Sequence, residues 1–170
     1  MRSRKPYTNA TFTKRVDHEA GRHRPSRVSS EPAVCERCGA VYAKRRWTVA
    51  NSSSEGKHKR RLPKTTVCPA CVQQRTGEPR GFVYLDGAFF SAHHDQIEQL
   101  LRNEAERAAE DNPLARIMKW NRGKDHKLTV TTTTEHLAQR LGRALEKAFG
   151  GATNYDFSHE NKLARVTWQR

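Results

Sequence analysis

The only four cysteines of this chain fall in two close pairs, Cys35-Glu-Arg-Cys38 and Cys68-Pro-Ala-Cys71. Each pair offers two sulfurs from one tight turn, and two such turns complete a tetrahedral sphere, for which Zn²⁺ is the usual occupant. With all four positions taken by thiolates, no place is left for a reacting water, so such a metal holds structure rather than performing chemistry. The expectation is one structural Zn²⁺ on Cys35, Cys38, Cys68 and Cys71. The 29 residues between the pairs exceed the common spacing of about 15 to 20. A projecting loop absorbs the excess at small entropic cost.

Two other uses of the thiols compete with this one. Cys68-Pro-Ala-Cys71 alone fits a redox dithiol placed between a strand and a helix. The residues after Cys71, punctuated by Gly77, Pro79 and Gly81, read as a poor helix, and the upstream pair would go unexplained. Structural disulfides need an oxidising compartment, whereas no apolar run stands behind Met1-Arg-Ser-Arg-Lys5 to make a secretion signal. Outside the cysteines, His93, His94, Asp95 and Glu98 are the best candidates for catalysis. Consecutive helical residues point about 100° apart, so His93 and His94 do not share a ligand easily. Thr131 to Thr134 read as a strand end and a helix cap. Neither a glycine-rich phosphate loop nor a nucleophile elbow is present. No enzymatic activity and no small-molecule substrate are expected.

Charge is the second informative feature. The formal net charge is +14 over 170 residues. Residues 1–30 carry eight Lys/Arg against two acidic groups, and residues 44–64 carry eight against one, whereas residues 86–120 are net acidic, with four against seven. Cations gathered in a tail and a loop are what a polyanion binder requires. The candidate phosphate contacts are Lys44, Arg45, Arg46, Lys57, Lys59, Arg60, Arg61 and Lys64 in the loop region. Arg2, Arg4, Lys5, Lys14 and Arg15 join them from the tail. Trp47 and His58 are candidates to stack on unpaired bases. No stretch approaches the ~20 apolar residues of a membrane span, and none is expected to meet a membrane.

The elements that must position these groups follow from patterning. Residues 1–31 lack apolar periodicity and read as a disordered basic tail. Residues 32–85 read as a zinc ribbon: Gly39 in the first knuckle, a strand over Ala40–Trp47, a basic loop through Pro63, Thr65–Val67 leading into the second knuckle, and a strand over Gly81–Leu85. Residues 86–170 read as a small α+β domain. It has a helix over 91–111, ended by Asn112-Pro113, then a short helical piece at Leu114–Met118 and a strand at Leu128–Thr131. Thr132 and Glu135 fit a capping box for a helix striped with Leu137, Leu141, Ala144, Leu145, Ala148 and Phe149, which Gly150-Gly151 stops. The alternating segments 154–158 and 164–168 make a closing hairpin. The fold class is α+β, a four-cysteine zinc ribbon followed by a β-α-β-α-β-β layer packed by Ile97, Leu101, Leu128, Val130, Leu141, Leu145, Phe149, Phe157 and Val166.

Cys68-Pro-x-Cys71 with its Gly-rich sequel, the segment Asn112-Pro113-Leu114-Ala115 with Ile117, and the Leu-rich helix through Phe149-Gly150-Gly151 resemble the zinc-ribbon adaptor family that exports the large ribosomal subunit in archaea and eukaryotes. Cys35-x-x-Cys38-Gly39-Ala40 with Trp47 extends the resemblance to residues 33–170. That family carries further N-terminal zinc cysteines and later domains with export signals, which this chain lacks, so it looks like a stand-alone bacterial relative. The resemblance implies binding to ribosomal RNA or a ribosomal subunit, in assembly, storage or quality control, and a cytoplasmic location. A DNA-binding transcription factor or protein adaptor built on the same ribbon is the alternative.

Overall fold

A computed structural model describes residues 32–50, 64–123, 127–158 and 162–170. The expected tail over 1–31 and most of the basic loop lie outside these residues.

Two mixed sheets and three helices make up the described chain, an α+β architecture as expected. The first sheet is built from four strands of three residues: β1 (Ala33–Cys35), β2 (Val41–Ala43), β3 (Arg46–Thr48) and β4 (Lys64–Thr66). Their order is β3-β2-β1-β4, with β1 and β4 parallel and the remaining pairs antiparallel. Ala40–Trp47 is thus a hairpin rather than one strand. Lys44 and Arg45 turn it at φ 50° and 61°, a tip that lacks the Asn-Gly signature usual for such turns.

Helix α1 (Pro69–Thr76) follows β4 directly, contrary to the reading of a poor helix after Cys71. Its start is set by Cys68 as N-cap with Pro69 in the first turn, where the missing N–H costs nothing. Gly77 ends the helix at φ 71°: it acts as a stop, not as a breaker of the run before it.

The second sheet contains β5 (Gly81–Asp86), β6 (Ile117–Arg122), β7 (Leu128–Thr132), β8 (Ala152–Ser158) and β9 (Leu163–Gln169) in the order β6-β7-β5-β9-β8. Strand β5 was expected to close the ribbon, with a boundary at residue 85. It is instead the central strand of this sheet, paired with β7 and β9, which moves the boundary to the Gly77–Arg80 connection. Ile117 and Met118 open a strand where a helical piece was expected. β6 is an edge strand with a register shift between Ile117 and Lys119, so its alternation is blurred in the sequence.

Helices α2 (Ala88–Asp111) and α3 (Glu135–Phe149) cover one face of the sheet. α2 starts three residues before expectation and is kinked at His93, where φ is −124°. The cap of α3 is Thr134, whose Oγ1 accepts from the Leu137 N–H at 3.2 Å. Thr132 does not cap, because its hydroxyl donates to the Thr134 carbonyl at 2.8 Å. Beneath the helices lies a core of Val83, Leu85, Val130, Val166 and Trp168 from the strands with Ile97, Leu101, Leu141 and Leu145 from the helices. Seven of the nine expected core residues are buried there; Phe149 and Phe157 are only partly buried at its margin. Trp168, unforeseen, is fully buried, with its Nε1–H donating to the Gly150 carbonyl at 2.8 Å.

Candidate metal centre

The four cysteines converge, although 29 residues separate the pairs in sequence. Cys35 precedes the first turn, in which the Gly39 N–H donates to the Cys35 carbonyl at 2.9 Å and the Cys35 N–H to the Ala40 carbonyl at 2.8 Å. Gly39 takes φ 72°, a left-handed turn that glycine adopts without steric cost. Parallel pairing of β1 with β4 brings the second turn alongside, and α1 carries Cys71 one turn beyond Cys68.

The four Sγ atoms lie within 4.8 Å of one another. Cys35 and Cys71 are separated by 3.8 Å, and Cys38 and Cys68 by 3.6 Å. All four are free thiols. Sulfurs bound at about 2.3 Å in a tetrahedron stand roughly 3.8 Å apart, so the spacing suits a tetrahedral four-thiolate metal site. Cys35, Cys68 and Cys71 are buried and Cys38 is half-buried. The helix after Cys71 removes one argument against a redox dithiol. The convergence of the upstream pair on the same point supplies a stronger one, because it accounts for all four sulfurs together.

The electrostatics ask for a cation. Burial raises the Cys35 thiol, but backbone N–H groups of Cys68, Arg37 and Cys38 outweigh it and bring the group down to about 6. The Cys68 N–H lies 3.3 Å from that sulfur. Burial pushes Cys68 and Cys71 up instead, and thiolate neighbours add to the rise. A fold in which one thiolate forms readily and its neighbours resist needs positive charge to hold all four ionised.

Part of that charge comes from the other domain. Arg116 places Nη1 at 3.7 Å from Cys71 Sγ, while its Nε–H donates to the Pro113 carbonyl at 2.8 Å. Burial lowers its guanidinium, and the thiolates, Cys38 foremost, raise it above the ordinary arginine value. The backbone around it is fixed by Thr133, whose Oγ1 accepts from the Arg116 N–H at 2.8 Å and donates toward the Leu114 carbonyl at 2.6 Å. Gln73 of α1 reaches back to the Thr133 carbonyl at 3.1 Å, and Leu114 packs against the cysteine cluster. Asn112-Pro113-Leu114-Ala115 thus seats the metal module on the sheet domain. Arg116 and Thr133 had no motif to announce them; the nearby Asn-Pro-Leu-Ala segment was the one sequence cue.

Of the candidate RNA contacts, Lys44, Arg45, Arg46 and Lys64 are exposed on the metal module. Arg46 and Lys64 stand on strands at opposite edges of its sheet. Trp47 must be corrected: it is 6% exposed and packs on Tyr42 with centroids 5.2 Å apart. Its ring is part of the module's core and has no free face for a base. Lys57, His58, Lys59, Arg60, Arg61, Arg2, Arg4, Lys5, Lys14 and Arg15 lie outside the described residues.

Of the four catalytic candidates, His94 and Glu98 line one cavity, whereas His93 and Asp95 are not among its lining residues. His93 is turned against Phe89, centroids 4.2 Å apart, and exposed His94 meets Asp95 at 3.0 Å. Glu98 lies in a cavity of about 460 Å³ with Phe90, Ser91, His94, Arg122 and Lys127. Its carboxylate is held by Arg122 at 2.8 and 3.0 Å, with Arg102 at 3.7 Å. No helix among the described residues is long and apolar enough to cross a membrane.

No protein family, no curated protein and no solved structure matches the chain.

Proposed function

We propose that this protein is a zinc-ribbon RNA-binding protein of the cytoplasm, without catalytic activity, that associates with ribosomal RNA or a ribosomal subunit in assembly, storage or quality control. The four thiols hold a structural Zn²⁺, the divalent ion that a closed tetrahedral thiolate set favours. The metal fixes the base of the hairpin β2–β3 and thereby aims its basic tip. The resemblance to the ribosomal export adaptors and the concentration of charge around the ribbon support the ribosomal partner.

The observation that carries this reading is the tip itself. Lys44 and Arg45 both occupy the left-handed region, which costs an ordinary L-residue roughly 1–2 kcal/mol. Asparagine and glycine would turn the chain with less strain. Two cations kept where the backbone disfavours them suggest that their charge is what the tip is for. Arg46 follows immediately, and Lys44, Arg45 and Arg46 are all exposed.

Lys44→Asn with Arg45→Gly separates folding from binding. The variant should be at least as stable and should retain its metal by elemental analysis. Its affinity for structured ribosomal RNA should fall, and its salt slope should lose roughly two units, about one per phosphate contact removed. Co-sedimentation with ribosomal particles tests the partner. An unchanged salt slope moves the contact surface away from the hairpin. Absence of ribosomal association at every salt concentration favours the DNA-binding or adaptor alternative.

A further inference from the structure

The five-stranded sheet has two faces, and α2 and α3 cover one of them. The other is organised in rows by the strand register. In one row, Lys119 stands beside Thr131, Thr131 beside Phe82, Phe82 beside Arg165, and Arg165 beside Asp156. In the next, Asn121, Thr129, Tyr84, Thr167 and Asn154 follow in the same order. Each row therefore has one aromatic ring at its centre, on β5, flanked by a threonine or an arginine and ending in polar groups.

Phe82 and Tyr84 keep part of their surface in solvent. Their rings lie within 5° of parallel, with centroids 6.1 Å apart, so the pair presents a uniform aromatic strip along the central strand. Charge along the strip is graded. Arg80 extends the ladder of β5, its N–H donating to the Thr132 carbonyl and its carbonyl accepting from the Ala164 N–H, both at 2.9 Å. Strand alternation puts Arg80 on the same face as Phe82. Arg80, Lys119 and Arg165 thus surround the Phe82 end, and Arg165 is shared with Asp156 at 3.5 Å in a pair exposed to solvent. The acidic Asp86 lies at the far end of β5.

This composition chooses among occupants. A second sheet or helix would need a continuous apolar surface, which threonines, asparagines and cations do not provide. An unpaired nucleic-acid strand needs π faces for its bases and cations beside them for its phosphates.

We infer that this open face is a binding platform for single-stranded RNA, with Phe82 and Tyr84 stacking on two bases and Lys119, Arg165 and Arg80 meeting the phosphates. It takes nucleic acid as the partner from the proposed function. It uses a surface distinct from the hairpin tip and adds base stacking to phosphate contacts.

The probe is a short fluorescein-labelled RNA of mixed sequence, compared by anisotropy with an abasic strand of the same length and with its DNA counterpart. The full-length wild-type protein should prefer the base-bearing RNA over the abasic strand. Phe82→Leu and Tyr84→Leu should each weaken binding roughly 5- to 160-fold, the span expected for one lost stack, and should narrow the preference over the abasic strand. Phe82→Tyr with Tyr84→Phe keeps both rings and should retain affinity. Unaltered metal content and thermal transition show that the variants are folded.

Equal affinity of the wild-type protein for the base-bearing and abasic strands overturns the platform, whether or not the leucine variants fold. So does undiminished binding by folded leucine variants, or a strand preference for DNA over RNA. Self-association that depends on Phe82 and Tyr84, without base-dependent binding, makes the face an interface between copies instead. The hairpin-tip variant should weaken the base-bearing and abasic strands alike, so failure of the tip and failure of the platform give different patterns.

Discussion

Around the four sulfurs the strands are three residues long, and the buried side chains are Ala40, Trp47, Ala70 and three of the cysteines themselves. Around the five-stranded sheet the strands run five to seven residues, and sixteen buried residues form one continuous apolar cluster. The first region has too little apolar surface to offset the entropy of ordering its backbone, as small domains without a metal or cross-link generally do not. The second has a conventional core, in which each fully buried leucine or valine contributes roughly 1.5–3 kcal/mol. Specialisation follows from this difference. A metal on the four thiols would hold the frame of the first region and let it present strained, charged backbone. The sheet domain can leave one face uncovered by the described residues because burial under its helices suffices.

Metal removal should break this comparison most sharply. Binding of a structural zinc contributes about 10–16 kcal/mol in small zinc domains, more than the module can replace. Chelation under reducing conditions, or Cys35→Ser, should abolish hydrogen-exchange protection in β1–β4 and α1 while β5–β9, α2 and α3 remain protected. Simultaneous loss of protection in both regions would show that they fold as one cooperative unit.

The converse experiment acts on the sheet domain. Trp168 is fully buried among Phe89 and Phe149 and bonds the carbonyl at the end of α3. Trp168→Ala should cost about 3–5 kcal/mol and leave zinc stoichiometry unchanged at temperatures where the domain stays folded. Phe149→Ala, at the margin of the same cluster, should cost less, because part of its surface is already in solvent. Denaturant midpoints of the two variants give the order directly.

Much of the contrast was visible in the chain itself. The cysteine spacing announced the metal module, and the apolar stripe of Leu137, Leu141 and Leu145 announced α3. The misses share a physical cause: each depended on what lies next to the residue rather than on its own type. Val72 to Thr76 form a helix because Cys68 and Pro69 start it and Gly77 ends it. β6 hides its alternation in a register shift at a sheet edge. Lys44-Arg45 turns without turn residues. Trp47 looked like a free ring until Tyr42 came across the hairpin to cover it. Phe82 and Tyr84 drew no notice as a site, because alternation in a strand marks two faces without saying which one the helices will take.

Arg116 ties the two regions together and gives the finest test of how separate they are. A divalent ion with four thiolates would carry a net charge of −2, and the guanidinium 3.7 Å from Cys71 Sγ would offset part of it. The arginine is held in place by the Pro113 carbonyl and by Thr133, so its position belongs to the sheet domain although its charge acts on the sulfurs. Removing groups that support metal ligands from outside typically lowers metal affinity 10- to 100-fold, and Arg116→Gln should fall in that range by competition against a chelator. Arg116→Lys should recover part of the loss, since it restores the charge without the fork that reaches sulfur and carbonyl at once. The same contact predicts linkage in the other direction. Zinc should raise the thermal midpoint of the sheet domain in the wild-type protein, and this rise should shrink in Arg116→Gln. A zinc-dependent midpoint that is unchanged in the variant would assign the coupling to Gln73 and Leu114 packing instead, leaving Arg116 a surface cation near a site it does not tune.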